Sequence, residues 1–259
     1  MWNLLDTGKQ SAAANMALDS KLLAELKADS SPLIHFYDWS KESATYGYFL
    51  RPEKLINVTA AKRWGLQLAR RPTGGGLIFH QFDFAFSVLI PAGFQYFSLN
   101  TLANYQFINR AVKNALKNFF EPEALHSSLL SEESLPNDPQ CRYFCMAKPT
   151  RYDVMIKGRK VAGAAQRRCK AGYLHQGSIA ISMPDEDFFR DVLLPDSQVL
   201  EAMQSHTFSL LGAMASSKTI AEVRRELKDQ LIVHLTRAAA HTSEQPIDAT
   251  CAAIEKGSA

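Results

Sequence analysis

The hydrophobic pattern changes period several times along the chain, and each change marks an expected element. Residues 11–26 (SAAANMALDSKLLAEL) read as a helix that Ser11 can cap, with Leu18, Leu22 and Leu26 recurring every fourth position on one face. Residues 33–39 (LIHFYDW) are dense in branched and aromatic side chains and read as a strand, as do 44–50 (ATYGYFL). Pro52 suits the first turn of a short helix running to about Trp64, with Gly65 ending it. A strand over LQLARRP then leads into three consecutive glycines. GLIFHQ and FAFSVLIP flank a tight connection near Phe82 and Asp83, which predicts a β-hairpin.

Farther on, residues 98–120 carry the apolar stripe of a long amphipathic helix: Leu102, Phe107, Ile108, Val112, Leu116 and Phe119. Residues 127–140 (SSLLSEESLPNDPQ) are polar and turn-rich and read as a mobile surface loop. YDVMIKGRKVAG reads as strand, turn at Gly158, strand, and YLHQGSIAIS as a further strand. Residues 185–194 form a short helix. Thr219 and Glu222 make a capping box for the helix IAEVRRELKDQLIVHLTRA. From about residue 240 the chain is small and polar, a frayed tail over 240–259. With no repeat and no clear linker, residues 1–239 read as a single domain. Helices and strands mix without regular βαβ alternation, so the expected class is α+β, with a mixed, largely antiparallel sheet flanked by helices.

Composition narrows the function classes. The 259 residues are 46% apolar and 21% charged, which suits a globular protein with one large core. A net charge of +3 is too small to suggest a nucleic-acid binder. No apolar run approaches the roughly 18 residues of a membrane span. The opening MWNLLDTGKQ lacks the layout of a secretory signal, so a cytoplasmic, reducing setting is expected, with no membrane partner. Cys141 and Cys145 are four apart, but no second Cys/His pair completes a zinc site, so no metal is expected.

Two clusters carry candidate chemistry. In ARRPTGGGLIFH, Gly74, Gly75 and Gly76 can let a ligand lie against bare backbone, with N–H groups available to anionic oxygens. Arg70 and Arg71 place fixed positive charge beside them, and guanidinium suits carboxylate or phosphate. No G-K-[ST] follows, so this is not a Walker loop. The second cluster runs from Cys141 to Ser178. Its GAA segment, Gly163 to Ala165, is another bare surface, and Lys160, just after the Gly158 turn, reads as an exposed turn lysine or as an anchor for a carbonyl oxygen. Cys145 has basic neighbours that favour thiolate, but as an isolated cysteine it reads first as a small packed hydrophobe. His80 and His175 read as packed histidines or as site residues.

Taken together these motifs resemble the biotin/lipoate protein ligase catalytic-domain family. The matching stretches are RRPTGGGLIFH, YDVMIKGRKVAGAAQRR and HQGSI, in that order, and NMALD is similar to the family's opening helix. The resemblance implies that family's α+β fold and attachment of octanoyl or lipoyl chains to a lysine of a lipoyl domain or glycine-cleavage H protein. It implies that Lys160 is the key active-site lysine, and that His80 and Gly163, Ala164, Ala165 and Gln166 line the pocket, with Arg70, Arg71, the glycines, Asp153 and His175 in the substrate site. The segment CMAKPTRYD, Cys145 to Asp153, is similar to the cysteine-using branch, with Thr150 where Ser or Gly is usual, which makes Cys145 the expected nucleophile.

Three readings follow. In the first, Cys145 takes an octanoyl or lipoyl group from a carrier-protein or H-protein donor as a thioester and needs no cofactor. Lys160 and backbone N–H groups near Gly163 and Ala164 hold the oxyanion, and Leu77, Phe79 and Val161 wall the acyl tunnel. In the second, an ATP-dependent lipoate–protein ligase activates the free acid as an adenylate, with ATP and Mg²⁺. In the third, the same fold binds acyl chains without catalysis.

Overall fold

A computed structural model describes residues 1–80, 82–117, 119, 127–129, 151, 153–183, 185–195, 199–212 and 218–238. The chain opens with strand β1 (Asn3–Gln10), helix α1 (Ala12–Glu25) and strand β2 (Leu33–Trp39). β1 and β2 pair in parallel, with α1 as the crossover. β1 went unread in the sequence because it is an edge strand: its residues alternate only between exposed and half-buried, without an apolar face.

β3 (Ser43–Tyr46), α2 (Val58–Arg63), β4 (Gln67–Arg70) and β5 (Leu77–Phe79) follow, and β4-β3-β5 form a three-stranded sheet. The strand expected over 44–50 stops at Tyr46. The helix expected from Pro52 to Trp64 is instead a 3-10 turn, Pro52–Lys54, and then α2. Asn57 divides them by capping α2, its side chain accepting from the N–H groups of Thr59 and Ala60.

β6 (Asp83–Pro91) corrects the expected hairpin. β5 pairs with β3 in the small sheet, whereas β6 pairs with β2 and β10 in the large one. The apolar pattern of both strands was real, but the turn between them is a crossing from one sheet to the other. All nine residues of β6 are buried, as expected of a central strand covered on both faces.

α3 (Thr101–Lys117), β7 (Ser127–Leu129), β8 (Val154–Ile156), β9 (Arg159–Cys169), β10 (Gly172–Ala180), α4 (Glu186–Val192), α5 (Val199–His206) and α6 (Ile220–Ala238) complete the described elements. The large sheet has the order β1-β2-β6-β10-β9-β8-β7 and is antiparallel except at its β1 edge. The expected α+β class with a largely antiparallel sheet is met. Lys157 (φ 49°) and Gly158 (φ 74°) make the tight β8–β9 turn, where positive φ at both positions matches the strands' twist. Residues 127–129, read as loop, are strand β7. The remainder of that loop and the tail over 240–259 lie outside the described residues.

The main core fills the space between one face of the large sheet and the helices α3 and α6. Val223, Leu227, Leu231 and Leu235 run down α6 at every fourth residue, onto Ile108, Val112 and Leu116 of α3 and Phe84, Phe86 and Val88 of β6. The capping box at the start of α6 forms as expected: Thr219 N–H donates to Glu222 Oε2 at 2.7 Å, and Glu222 N–H to Thr219 Oγ1 at 3.3 Å. The opposite face of the large sheet receives α1 and the small sheet. α1 buries Ala12, Asn15, Met16, Asp19 and Leu23, so its inner stripe is rotated from the expected Leu18–Leu22–Leu26 line and includes two polar residues.

Candidate active site

Strand alternation assigns each site residue to one face of the large sheet. On β10, Gln176 and Ser178 point toward α1 and the small sheet, while His175 points toward α3. Gln176 Nε2 donates to Asp19 Oδ2 at 2.6 Å, and Gln176 Oε1 accepts from Thr73 Oγ1 at 2.7 Å. Asp19 also accepts from Ser87 Oγ (2.5 Å) and pairs with His35 Nδ1 (2.8 Å), whose Nε2 meets Thr7 Oγ1 at 3.0 Å. A buried carboxylate on α1 is thus satisfied from three strands, which is what burial of a charged group requires. Through Gln176 and Thr73 this network reaches the start of the glycine run.

That run is held by Arg71. The paired arginines divide by direction. Arg71 is buried, with Nη2 donating to the carbonyls of Gly74 (2.8 Å) and Gly76 (2.9 Å) and Nη1 to the Thr45 carbonyl (3.2 Å). Arg70 is exposed, its guanidinium 4.9 Å from the centre of the Tyr48 ring. Gly75 has φ 94°, which favours glycine. A Cβ built on Gly74 would meet nothing within 4 Å, so there the bare backbone faces open space.

A second buried cluster stands beside the loop. His80 Nε2 lies 2.8 Å from Thr45 Oγ1, and its Nδ1 lies 2.7 Å from Asp83 Oδ2. Ser178 Oγ donates to the same Oδ2 at 2.6 Å, while Asp83 Oδ1 is buried without a partner. The imidazole stacks on Trp39 with centroids 4.1 Å apart, which fixes the ring plane.

Two cavities meet at Ser178. One, of about 370 Å³ including open solvent, has Thr45, Arg71, His80 and Gln176 as polar walls and Met16, Tyr37, Ile78, Ala164 and Ala165 as apolar ones. Burial pushes the Tyr37 hydroxyl well above the ordinary phenol range, and the Asp19 carboxylate pushes the same way. The other cavity, also about 370 Å³ with open solvent, is lined by apolar Ile78, Phe79, Phe82, Ala180, Met183 and Met203 and by polar Asp83, Ser178, Ser182 and Thr207. Of the expected tunnel walls only Phe79 lines it. Leu77 and Val161 pack into the hydrophobic cores instead.

Lys160 is buried on β9 beside this second cavity. Its Nζ lies 2.7 Å from Asp153 Oδ2, and its backbone bridges to the cavity residue Thr207. Its carbonyl accepts from Phe208 N–H at 2.9 Å. Gly163 sits opposite Ser178 in the β9–β10 register, and Ala164 opposite Gly177. Cys145 lies outside the described residues.

Gln166 and His175 belong to the α3 face. Gln166 Nε2 donates to His175 Nδ1 at 2.9 Å, the Gln166 N–H donates to Tyr105 Oη at 2.8 Å, and the imidazole stacks near Phe86. Burial pushes the His175 pKa down to about 3, which keeps it neutral. Arg71, His80, Ala164 and Ala165 therefore come together at the first cavity, and Lys160 and Asp153 stand by the second. Arg70, Gln166 and His175 are placed elsewhere. Asp19, Thr45, Asp83, Gln176 and Ser178 were not singled out from the sequence. Asp83 had a signal in its position three residues after His80, and Gln176 and Ser178 lay inside the HQGSI motif. Among the described residues no group of three or more His, Cys, Asp or Glu side chains is placed to hold a metal, and no helix is long and apolar enough to cross a membrane.

The two cavities thus open onto buried polar clusters. The chain belongs to the lipoyl protein ligase A/B catalytic-domain family, which matches residues 11–232. It is 33% identical to the octanoyltransferase LipM of Bacillus subtilis over 240 residues, 88% of this chain and 84% of that protein. It is 31% identical to the octanoyltransferase LipM of Bacillus cereus over 258 residues, 99% and 86% of the two chains. Among solved structures, a bi-partite lipoate protein ligase from Thermoplasma acidophilum superposes with a TM-score of 0.69 at 22% identity, covering 93% of this chain and 84% of that one. Lipoate-protein ligase A bound with ATP gives 0.65 at 22% identity, covering 93% and 85%. At those identities the structural likeness is one of fold.

Proposed function

We propose that this protein is an octanoyltransferase of lipoate metabolism, with residues 1–239 as one catalytic domain. The donor is an octanoyl thioester on a carrier protein, and the acceptor is a lysine of a lipoyl domain or H protein. The observation that carries the reading is the cavity whose apolar lining is joined by the polar groups of Asp83, Ser178, Ser182 and Thr207. It offers a fatty chain an apolar wall and its carbonyl a polar end. Each buried CH₂ contributes about 0.8 kcal/mol, so the chain supplies much of its own affinity. The names of the curated relatives support transfer over ATP-dependent ligation, and transfer calls for no cofactor.

In this reading the Cys145 thiolate attacks the thioester carbonyl. The carbonyl oxygen takes negative charge beside Lys160, the carrier thiolate leaves, and an octanoyl-Cys145 thioester remains. The acceptor amine, deprotonated, attacks that thioester. An amide forms, the C–S bond breaks, and the proton the amine gives up goes to the departing Cys145 sulfur, which returns as thiol. Asp153 positions the Lys160 ammonium by their buried ion pair. The test is intact mass spectrometry after incubation with octanoyl carrier protein, or with octanoate plus ATP. The expected result is an octanoyl adduct on the wild-type chain from the carrier alone and none on Cys145→Ala. Full transfer by Cys145→Ala would overturn the thioester route.

A further inference from the structure

An aromatic and cationic platform stands on the outside of the glycine loop. Phe49 is 91% exposed and Tyr48 41%, and their rings meet edge to face with centroids 5.1 Å apart. Two guanidiniums flank the Tyr48 ring, Arg70 at 4.9 Å and Arg167 at 5.2 Å from its centre. The platform is tied to the site from two directions. Tyr48 N–H donates to the Thr73 carbonyl at 2.9 Å, and Arg167 Nη1 donates to the Pro72 carbonyl at 3.1 Å. None of the ion pairs among the described residues uses Arg70 or Arg167.

Nothing among the described residues explains an exposed phenylalanine beside two arginines that pair with no carboxylate there. Aromatic rings and arginine are the residue types enriched at the centres of protein interfaces. The charge identifies the occupant. An acceptor lysine is itself a cation, and it must approach a rim carrying Arg70 and Arg167 and a site carrying Arg71 and Lys160. Like charges oppose that approach unless the lysine arrives with compensating carboxylates.

We propose that Tyr48, Phe49, Arg70 and Arg167 form the docking surface for the folded acceptor domain, which binds through carboxylates flanking an apolar contact near its target lysine. The inference rests on the reading of the protein as a lysine acyltransferase. The experiment uses the full chain, Phe49→Asp and Arg167→Glu, with a recombinant lipoyl domain as probe. Binding of the unmodified domain is measured by calorimetry at low and high salt. Acyl transfer to it is measured from enzyme pre-loaded with an octanoyl group, and loading is measured separately from octanoyl carrier protein and from a small octanoyl thioester.

The expected result is a loss of about tenfold or more in domain affinity and in transfer for each variant, with loading from both donors within about twofold of wild type. Wild-type binding weakens with salt, and Arg167→Glu flattens that dependence. Unchanged affinity in both variants overturns the proposal, as does failure of the wild-type chain to bind the domain. A loss confined to loading from the carrier assigns the surface to the donor and overturns it too. If the wild-type chain binds the domain and the variants do not, yet no acyl group moves, the docking surface stands and the acyltransferase reading falls.

Discussion

The two faces of the large sheet are built from the same strands and do different work. Toward α3 and α6 the strands present Ile34, Phe36, Phe84, Phe86, Val88, Tyr173 and Ile179, a nearly dry core. Toward α1 and the small sheet the alternating positions are His35, Asp83, Ser87, Gln176 and Ser178, all buried and all hydrogen-bonded. One face supplies stability through apolar area, and the other spends buried polar groups on holding a loop and a histidine in place. A period of two thus lets β2, β6 and β10 carry a core and a site without conflict between them.

The sharpest way to break this division is Phe86→Ala. Loss of a buried ring from the dry face is expected to cost about 3–5 kcal/mol in urea unfolding. Transfer by the folded fraction changes less than stability does, unless the two faces are mechanically coupled. Asp19→Asn tests the other face. It keeps the shape but removes the charge that accepts from Ser87, His35 and Gln176, at an expected cost of about 2–3 kcal/mol. Transfer then falls more than the same loss of stability causes in Phe86→Ala, because Gln176 and Thr73 no longer fix the glycine loop. Equal activity losses at equal stability would erase the distinction.

His175 is a buried titratable residue on the dry face, and pH exposes it. Its pKa is pushed down to about 3 by burial, so between there and the ordinary histidine value the unfolded chain binds a proton that the native chain does not. Its contribution to stability is full above about pH 6.5 and declines as pH falls. Between pH 6.5 and 5 it should weaken the wild type by about 2 kcal/mol. His175→Gln removes that slope, which unfolding curves at the two pH values would show. The smallest effect is expected from Ser178→Ala. Asp83 keeps His80 but loses one donor, at about 1 kcal/mol. Chain-length preference shifts in the same variant if the two cavities are joined there, readable from competing octanoyl and decanoyl donors.

What the sequence disclosed followed local chemistry. The Thr219–Glu222 box, the Lys157–Gly158 turn and the α3 stripe depend on residues a few positions apart; the box and the turn formed, and of the stripe Ile108, Val112 and Leu116 are the buried helical positions, with Phe119 past the end of α3. The β5–β6 hairpin failed because adjacency in sequence says nothing about which sheet a strand joins. α5 and β1 passed unread, α5 as a short element and β1 because its edge position leaves no clean apolar period. On α1 the leucine line misled, since the inward face is chosen by Asn15 and Asp19, whose partners lie on β2, β6 and β10. For the site, motif likeness put forward His80, Lys160 and the glycines as candidates. It could not tell that neighbours on one strand, His175 and Gln176, face opposite sides of the sheet.

The crossing of Gly47 under Gly75 has a consequence for engineering. A Cβ built on Gly47 would lie 1.9 Å from the Gly75 carbonyl oxygen, so the two segments interlock only because residue 47 lacks a side chain. Grafting a relative's glycine loop into this scaffold, or this loop into another, is therefore a two-part transplant. The segment around residue 47 must travel with it, although some thirty residues of chain separate the two.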